Sequence, residues 1–298
     1  MPRIALLLAL ALSLVQCTTK ETIYQIDHEN VVIPDNEPPP YSGVTTLQIR
    51  TYVNKIYIDL LGREPLELEL DAATTILRDG ELKEEVRESV VRNILEEDEY
   101  YQRFWEIYSG SVLNGITRQE IADELATLEF VYDLAIQNGD LALAQFLVPE
   151  IAKMDDLYNA LPDYQSGAID TRGFLSRMAY NSIYDQINMG SFNFVLACFE
   201  NFFKRAPTAT EEAAGISMVD GFPAQLLFKD GNSKNDFLDI VTQAPEFNQG
   251  LVFDIYGQLL ARKPTSPEMG LATIDLHTGK DYQDIQVQVA ITDEYAGF

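Results

Sequence analysis

The chain has 298 residues, 46% of them hydrophobic, and a formal net charge of −26. A chain of that length can bury a core without disulfides. Its charge excludes a bare nucleic-acid-binding surface, which needs a positive face, and adhesion to an anionic bilayer by charge alone. Two cysteines and two histidines are too few for a protein-only Cys/His zinc cluster.

Met1-Pro2-Arg3 gives a short positive start, followed by an apolar run from Ile4 to Leu12 that Ser13, Leu14 and Val15 extend. That run is too short for a membrane span and has the length of a signal h-region. Leu14-Val15-Gln16-Cys17 resembles the lipobox of bacterial lipoproteins, with Gln16 departing from the small residue usual before the cysteine. The resemblance implies a signal peptide over residues 1–16 and lipidation of Cys17 by acyl chains such as palmitate. Two or more acyl chains anchor stably, whereas one does not. Thr18 stands where Asp would signal inner-membrane retention, which implies an outer-membrane destination, with the membrane face left open. Loss of Arg3 with the signal makes the mature charge −27. Residues 17–43 are polar and acidic and hold Pro34, Pro38, Pro39 and Pro40, the composition of an extended tether.

Three prolines, Pro65, Pro207 and Pro264, each follow the same apolar ladder. The first ladder is Tyr52, Val53, Ile56, Tyr57, Leu60 and Leu61. The second is Phe194, Val195, Cys198, Phe199, Phe202 and Phe203, and the third Leu251, Val252, Ile255, Tyr256, Leu259 and Leu260. The spacing i, i+1, i+4, i+5, i+8, i+9 is one stripe of a 3.6-period helix. Each ladder is followed by an arginine two places before the proline (Arg63, Arg205, Arg262) and a glutamate four places after it (Glu69, Glu211, Glu268). A period of this kind predicts a repeated helical unit. Proline disfavours helix in the residue before it, so the ladder helices are expected to stop near Gly62, Lys204 and Ala261. Thr208 with Glu211 and Thr265 with Glu268 make capping boxes for the next helix. Leu66 stands where the first copy would need its threonine.

The first copy, Ile56-Tyr57-Ile58-Asp59-Leu60-Leu61-Gly62-Arg63-Glu64-Pro65, resembles the signature of the DUF4214 family. It also resembles the DUF1549 family, including a later segment, Asn93 to Phe104. The resemblance covers about half the chain over the three copies. It implies a helical module of bacterial extracellular or surface proteins, with no accepted catalytic residue. Copies two and three depart from it at Lys204 and Ala261.

Between copies one and two, Thr117 and Glu120 box a helix carrying Ile121, Leu125, Leu128, Phe130 and Val131. A second run, Leu141 to Leu161, is expected to break around Pro149 and Pro162. Residues 162–173 are the expected loop, 174–187 a further helix, and 222–228 a short strand. The expected organisation is an all-α stack of short helices: copy one over 44–110, a helical middle region over 111–190, copy two over 191–247 and copy three over 248–298.

Sites of chemistry are sparse. Cys198 sits at a ladder position and reads as a core residue. His28 and His277 have no ligand cluster around them. Asp230, Asn232 and Asp236 fail the spacing of a calcium loop, with Lys234 at a ligand position, and read as a turn. Asp59, Glu69, Glu97, Asp98 and Glu99 offer carboxylates for hydrolysis, but nothing fixes a separation across a cleft. The corner arginines are expected to cap or to pair with the following helix. Tyr164, Phe174, Tyr180 and Tyr184 are the candidate interface aromatics, and Trp105 is expected to seal copy one against the middle region. These features point to a non-catalytic envelope lipoprotein, without cofactor, that acts as a scaffold or protein-interaction module. It would touch the membrane through its lipid and bind an envelope protein. The competing readings are a glycan- or calcium-binding surface lipoprotein and a hydrolase with paired carboxylates.

Overall fold

The computed structural model describes residues 43–298. The signal segment, Cys17, His28 and all but the last residue of the tether lie outside the described residues. The described part is a bundle of short and medium helices with one two-stranded β-hairpin. No described helix is long and apolar enough to cross a membrane.

Helices α1 (Thr46–Leu61), α2 (Glu67–Asp79), α3 (Glu84–Leu95) and α4 (Asp98–Val112) come first. Then follow α5 (Arg118–Asn138), α6 (Leu141–Tyr158), α7 (Ala160–Gln165), α8 (Thr171–Ala179) and α9 (Ser182–Ile187). The remainder is α10 (Ser191–Phe203), α11 (Ala209–Val219), β1 (Ala224–Leu226), β2 (Lys229–Gly231), α12 (Lys234–Thr242), α13 (Pro245–Leu260), α14 (Ser266–His277), α15 (Tyr282–Ala290) and α16 (Asp293–Ala296).

The three apolar ladders lie on α1, α10 and α13, and all but the half-buried Leu260 are buried. The ladder helices end at Gly62, Lys204 and Ala261, each in the left-handed conformation that closes a helix before a proline. Short helices cannot bury such stripes alone, so the stripes converge on one continuous core. Buried polar groups fix its register. The Tyr52 hydroxyl of α1 donates to the Ala290 carbonyl of α15 at 2.9 Å, and Tyr100 of α4 donates to Gln286 at 2.7 Å. The side chain of Gln258 on α13 donates to the Asp59 carbonyl at 2.8 Å. Where α10 crosses α13, Gly250 is indispensable: a Cβ there would lie 1.9 Å from the Phe202 carbonyl oxygen.

The middle region shares this core. Phe104 has Tyr164 and Tyr108 at 4.8 Å, Phe174 at 5.0 Å and Tyr282 at 5.3 Å between ring centroids. Trp105 is buried and meets Phe174 edge-on.

Several expectations need correction. Pro149 lies inside α6 rather than breaking it, and Pro162 lies inside α7 rather than opening a loop. The missing amide of a proline costs least where neighbouring turns are held by packing, and Leu147 and Met154 flank Pro149 on the buried side of α6. The expected helix over 174–187 is two helices. Asn181 interrupts it, its side chain accepting the Tyr184 amide at 2.9 Å and capping α9. The boundary between residues 247 and 248 falls inside α13, so the end of copy two and the ladder of copy three share one helix.

Candidate docking arm

The three Arg–Pro–Glu corners have matching geometry. Arg63 makes a two-point pair with Glu69 at 2.7 and 2.9 Å and also holds Glu99 of α4. Arg205 pairs with Glu211 at 2.8 and 2.7 Å and with Glu246 of α13. Arg262 pairs with Glu268 at 2.9 and 2.8 Å and with Glu294 of α16. Each guanidinium also donates to the carbonyl of the next residue, Glu64, Ala206 or Lys263. All five donors of each arginine are thereby engaged. Each lies over an aromatic ring one and a half turns back, Tyr57, Phe199 or Tyr256, at 5.2 to 5.4 Å. The same glutamates accept the N-cap amides of Leu66, Thr208 and Thr265. Leu66 lacks a capping hydroxyl, yet Glu69 still supplies the carboxylate half of the box. These corners join three helices, and their arginines have no donor left for an acidic partner.

The other chemical candidates are also absorbed by structure. Cys198 is fully buried, 3.6 Å from the Tyr184 hydroxyl, and burial pushes its thiol up to about 12. Asp236 accepts the Asn232 amide at 2.9 Å and Ser233 caps α12, so that acidic turn is a helix start. Asp59 accepts the Tyr295 hydroxyl at 2.8 Å. Among the described residues, no group of three or more His, Cys, Asp or Glu is placed to hold a metal ion. His277 ends α14 and is exposed.

The expected interface is corrected as well. Phe174 and Tyr184 are completely buried, Tyr164 is buried, and Tyr180 is half-buried. Tyr164, Phe174 and Tyr184 sit on short helices that face the core, and Tyr180 lies in the turn that follows α8.

The exposed apolar surface lies elsewhere, on the hairpin of α5 and α6. Local chemistry builds this hairpin. Thr117 and Glu120 form a reciprocal box at its start. Gly139, at φ 74°, ends α5, and Asp140 caps α6 by accepting the Leu143 amide at 3.1 Å. The two-residue link forces the helices to run antiparallel. At the base, Ile121, Met154 and Leu157 belong to the main core, and Arg118 donates to the Tyr158 carbonyl while lying over its ring. Towards the tip, Ala135, Ala144 and Leu147 are buried but stand outside that core. The distal half is therefore held only by its own two helices.

That distal half exposes Phe130 (67%), Phe146 (64%), Leu141 and Val148, and more modestly Leu134, Ile136 and Leu143. Both helices of the arm thus leave large apolar side chains in water, the mark of a candidate interaction surface. Around them stand Glu129, Asp133 and Asp140, and no Lys, Arg or His occurs between Arg118 and Lys153. The sequence placed Phe130 in the same stripe as Ile121 and Leu125. Its phase was the missed signal, because Ile121, Leu125, Leu128 and Ala135 follow one helical face and Phe130 falls half a turn from it.

No family model, no curated protein and no solved structure matches the chain.

Proposed function

We propose that this chain is a non-catalytic scaffold of the bacterial cell envelope, anchored through lipidated Cys17 in the outer membrane, with the α5–α6 hairpin as its docking arm. The three Arg–Pro–Glu corners are copies of one helical module, and the stacked modules form the rigid base. The tether supplies reach from the membrane. The resemblance of the first copy to the DUF4214 family supports an envelope module of this kind.

The observation that carries the reading is the distal arm, which presents apolar side chains beyond the core that holds the rest of the protein. Each helix of the arm is about 30 Å long, enough to lay several turns against a third helix. The mechanism is recognition by shape and charge. Apolar segments of one partner cover Phe130 on α5 and Phe146 on α6, and basic residues flanking them meet Glu129, Asp133 and Asp140. Burying what both phenylalanines still expose contributes about 2–4 kcal/mol before the cost of association.

A photo-activatable amino acid placed at position 130 or 146 tests this reading in cells. The expected result is one dominant cross-linked envelope protein, lost in the Cys17→Ala variant. Cross-links spread over many proteins, or unchanged by loss of Cys17, would overturn it.

A further inference from the structure

The second module differs from the other two in one place. Between its second and third helices the first module has Gly80–Lys83 and the third has Thr278–Asp281, four residues each. The second has Asp220–Ser233, fourteen residues that build the β1–β2 hairpin. The two strands pair Leu226 with Lys229, leaving a two-residue turn of Leu227 and Phe228. Both turn residues have positive φ, 49° and 65°. Turns of this form favour Asn-Gly, and two bulky side chains there hold the backbone in a costly region. The strain is not relieved by burial within the chain, because Phe228 is 96% exposed. Beside the turn lies an apolar groove of about 390 Å³, walled by Leu227, Phe228, Ile240, Ala244 and Pro245.

We infer that this hairpin is a self-association surface, in which Phe228 of one chain enters the groove of a second copy and the reverse, about a twofold axis. A projecting ring and an empty apolar groove side by side on one patch are what an isologous contact requires, since each copy supplies both halves. Charge agrees. Lys229 lines the groove, where its ammonium donates to the Gln243 side chain at 3.2 Å and meets no carboxylate among the described residues. Glu246 also lines it and gives only Oε2 to Arg205, which leaves Oε1 for Lys229 of the second copy. The contact is separate from the α5–α6 arm and does not depend on the partner proposed for it.

Sedimentation of the full-length chain in a density-matched mild detergent, over a micromolar concentration series, tests the inference. The wild type should show a monomer–dimer equilibrium. Phe228→Asn should weaken it at least tenfold, with a thermal midpoint unchanged or raised, because asparagine accepts the left-handed turn. Lys229→Glu should weaken it as well, and Phe130→Glu on the arm should leave it intact. A wild type that stays monomeric, a dimer indifferent to Phe228→Asn, or a dimer lost only in Phe130→Glu would each overturn the inference. So would a fall in thermal midpoint for Phe228→Asn without any change in association.

Discussion

Glu211 holds Arg205 through both carboxylate oxygens, at 2.7 and 2.8 Å, while one of those oxygens also accepts the Thr208 amide at 2.7 Å. The arginine above all holds this carboxyl down at about 2, and Arg262 does the same to Glu268. A carboxyl depressed in the folded state stabilises the fold above its unfolded value, near 4.3. That contribution falls away as pH drops through about 2. Urea unfolding between pH 5 and 2 should therefore show a steady loss of stability. Glu211→Gln and Glu268→Gln together should lower stability at pH 7 and flatten the acid limb. Parallel limbs for wild type and double variant would contradict this.

Each corner arginine can be tested against lysine, which keeps the charge and loses the two-point grip. Arg63→Lys, Arg205→Lys and Arg262→Lys should each lower stability by a similar, modest amount, because solvent screens these partly exposed pairs. Equal costs at the three sites are the signature of one module used three times. Chemical denaturation reads them directly, and a cost confined to one corner would argue against equivalence.

Gly250 and Gly257 lie on the same helix and should respond in opposite directions. Gly250→Ala forces a methyl into the Phe202 carbonyl and should cost about 3 kcal/mol or more. Gly257→Ala meets nothing within 4 Å and should gain up to about 1 kcal/mol from helix propensity. Thermal unfolding of the two variants checks both signs.

Cys198 should behave as a buried hydrophobe. In a Cys17→Ala background, the folded protein should resist a thiol reagent at pH 8, because desolvation holds the thiol at about 12 and no solvent reaches it. Denaturant should release one full equivalent. Rapid labelling of the folded protein would contradict the buried placement.

The corners were legible in the sequence because their elements are local. A ladder, an arginine, a proline and a glutamate at fixed spacing specify a helix, a stop and a capped restart within about twenty residues. Glu99, Glu246 and Glu294, which complete each cluster, each stand just before an aromatic, Tyr100, Phe247 or Tyr295, a recurrence that names no partner by itself. Their partnership with the arginines depends on how the following helix folds back. The arm was harder to read. Its hairpin signals, Thr117, Glu120, Gly139 and Asp140, are local, but exposure is not. Tyr184 and Phe130 look alike as aromatics within helices, and only tertiary packing buries one and leaves the other in water. Pro162 misled because it falls in the first turn of α7, where a helix amide has no intrahelical partner to lose, and Pro149 because α6 runs on through it.

The arm should also be the least protected helical part of the described chain. Amides from 129 to 148 should exchange hydrogen faster than those of α1, α10 and α13, because the distal half closes on Ala135, Ala144 and Leu147, outside the main core. Partner binding should slow that exchange. Uniform protection along α5 and α6 in the free protein would contradict an independently held arm.

The central claim is tested most directly by a mild-detergent pull-down of the anchored protein with quantitative mass spectrometry, comparing wild type, Cys17→Ala and a Phe130→Glu/Phe146→Glu arm variant of unchanged thermal midpoint. A stoichiometric envelope partner should come down with the wild type and be lost from both variants. Recovery of the same partner in equal amount with the arm variant, or of the bait alone with the wild type, would contradict that claim.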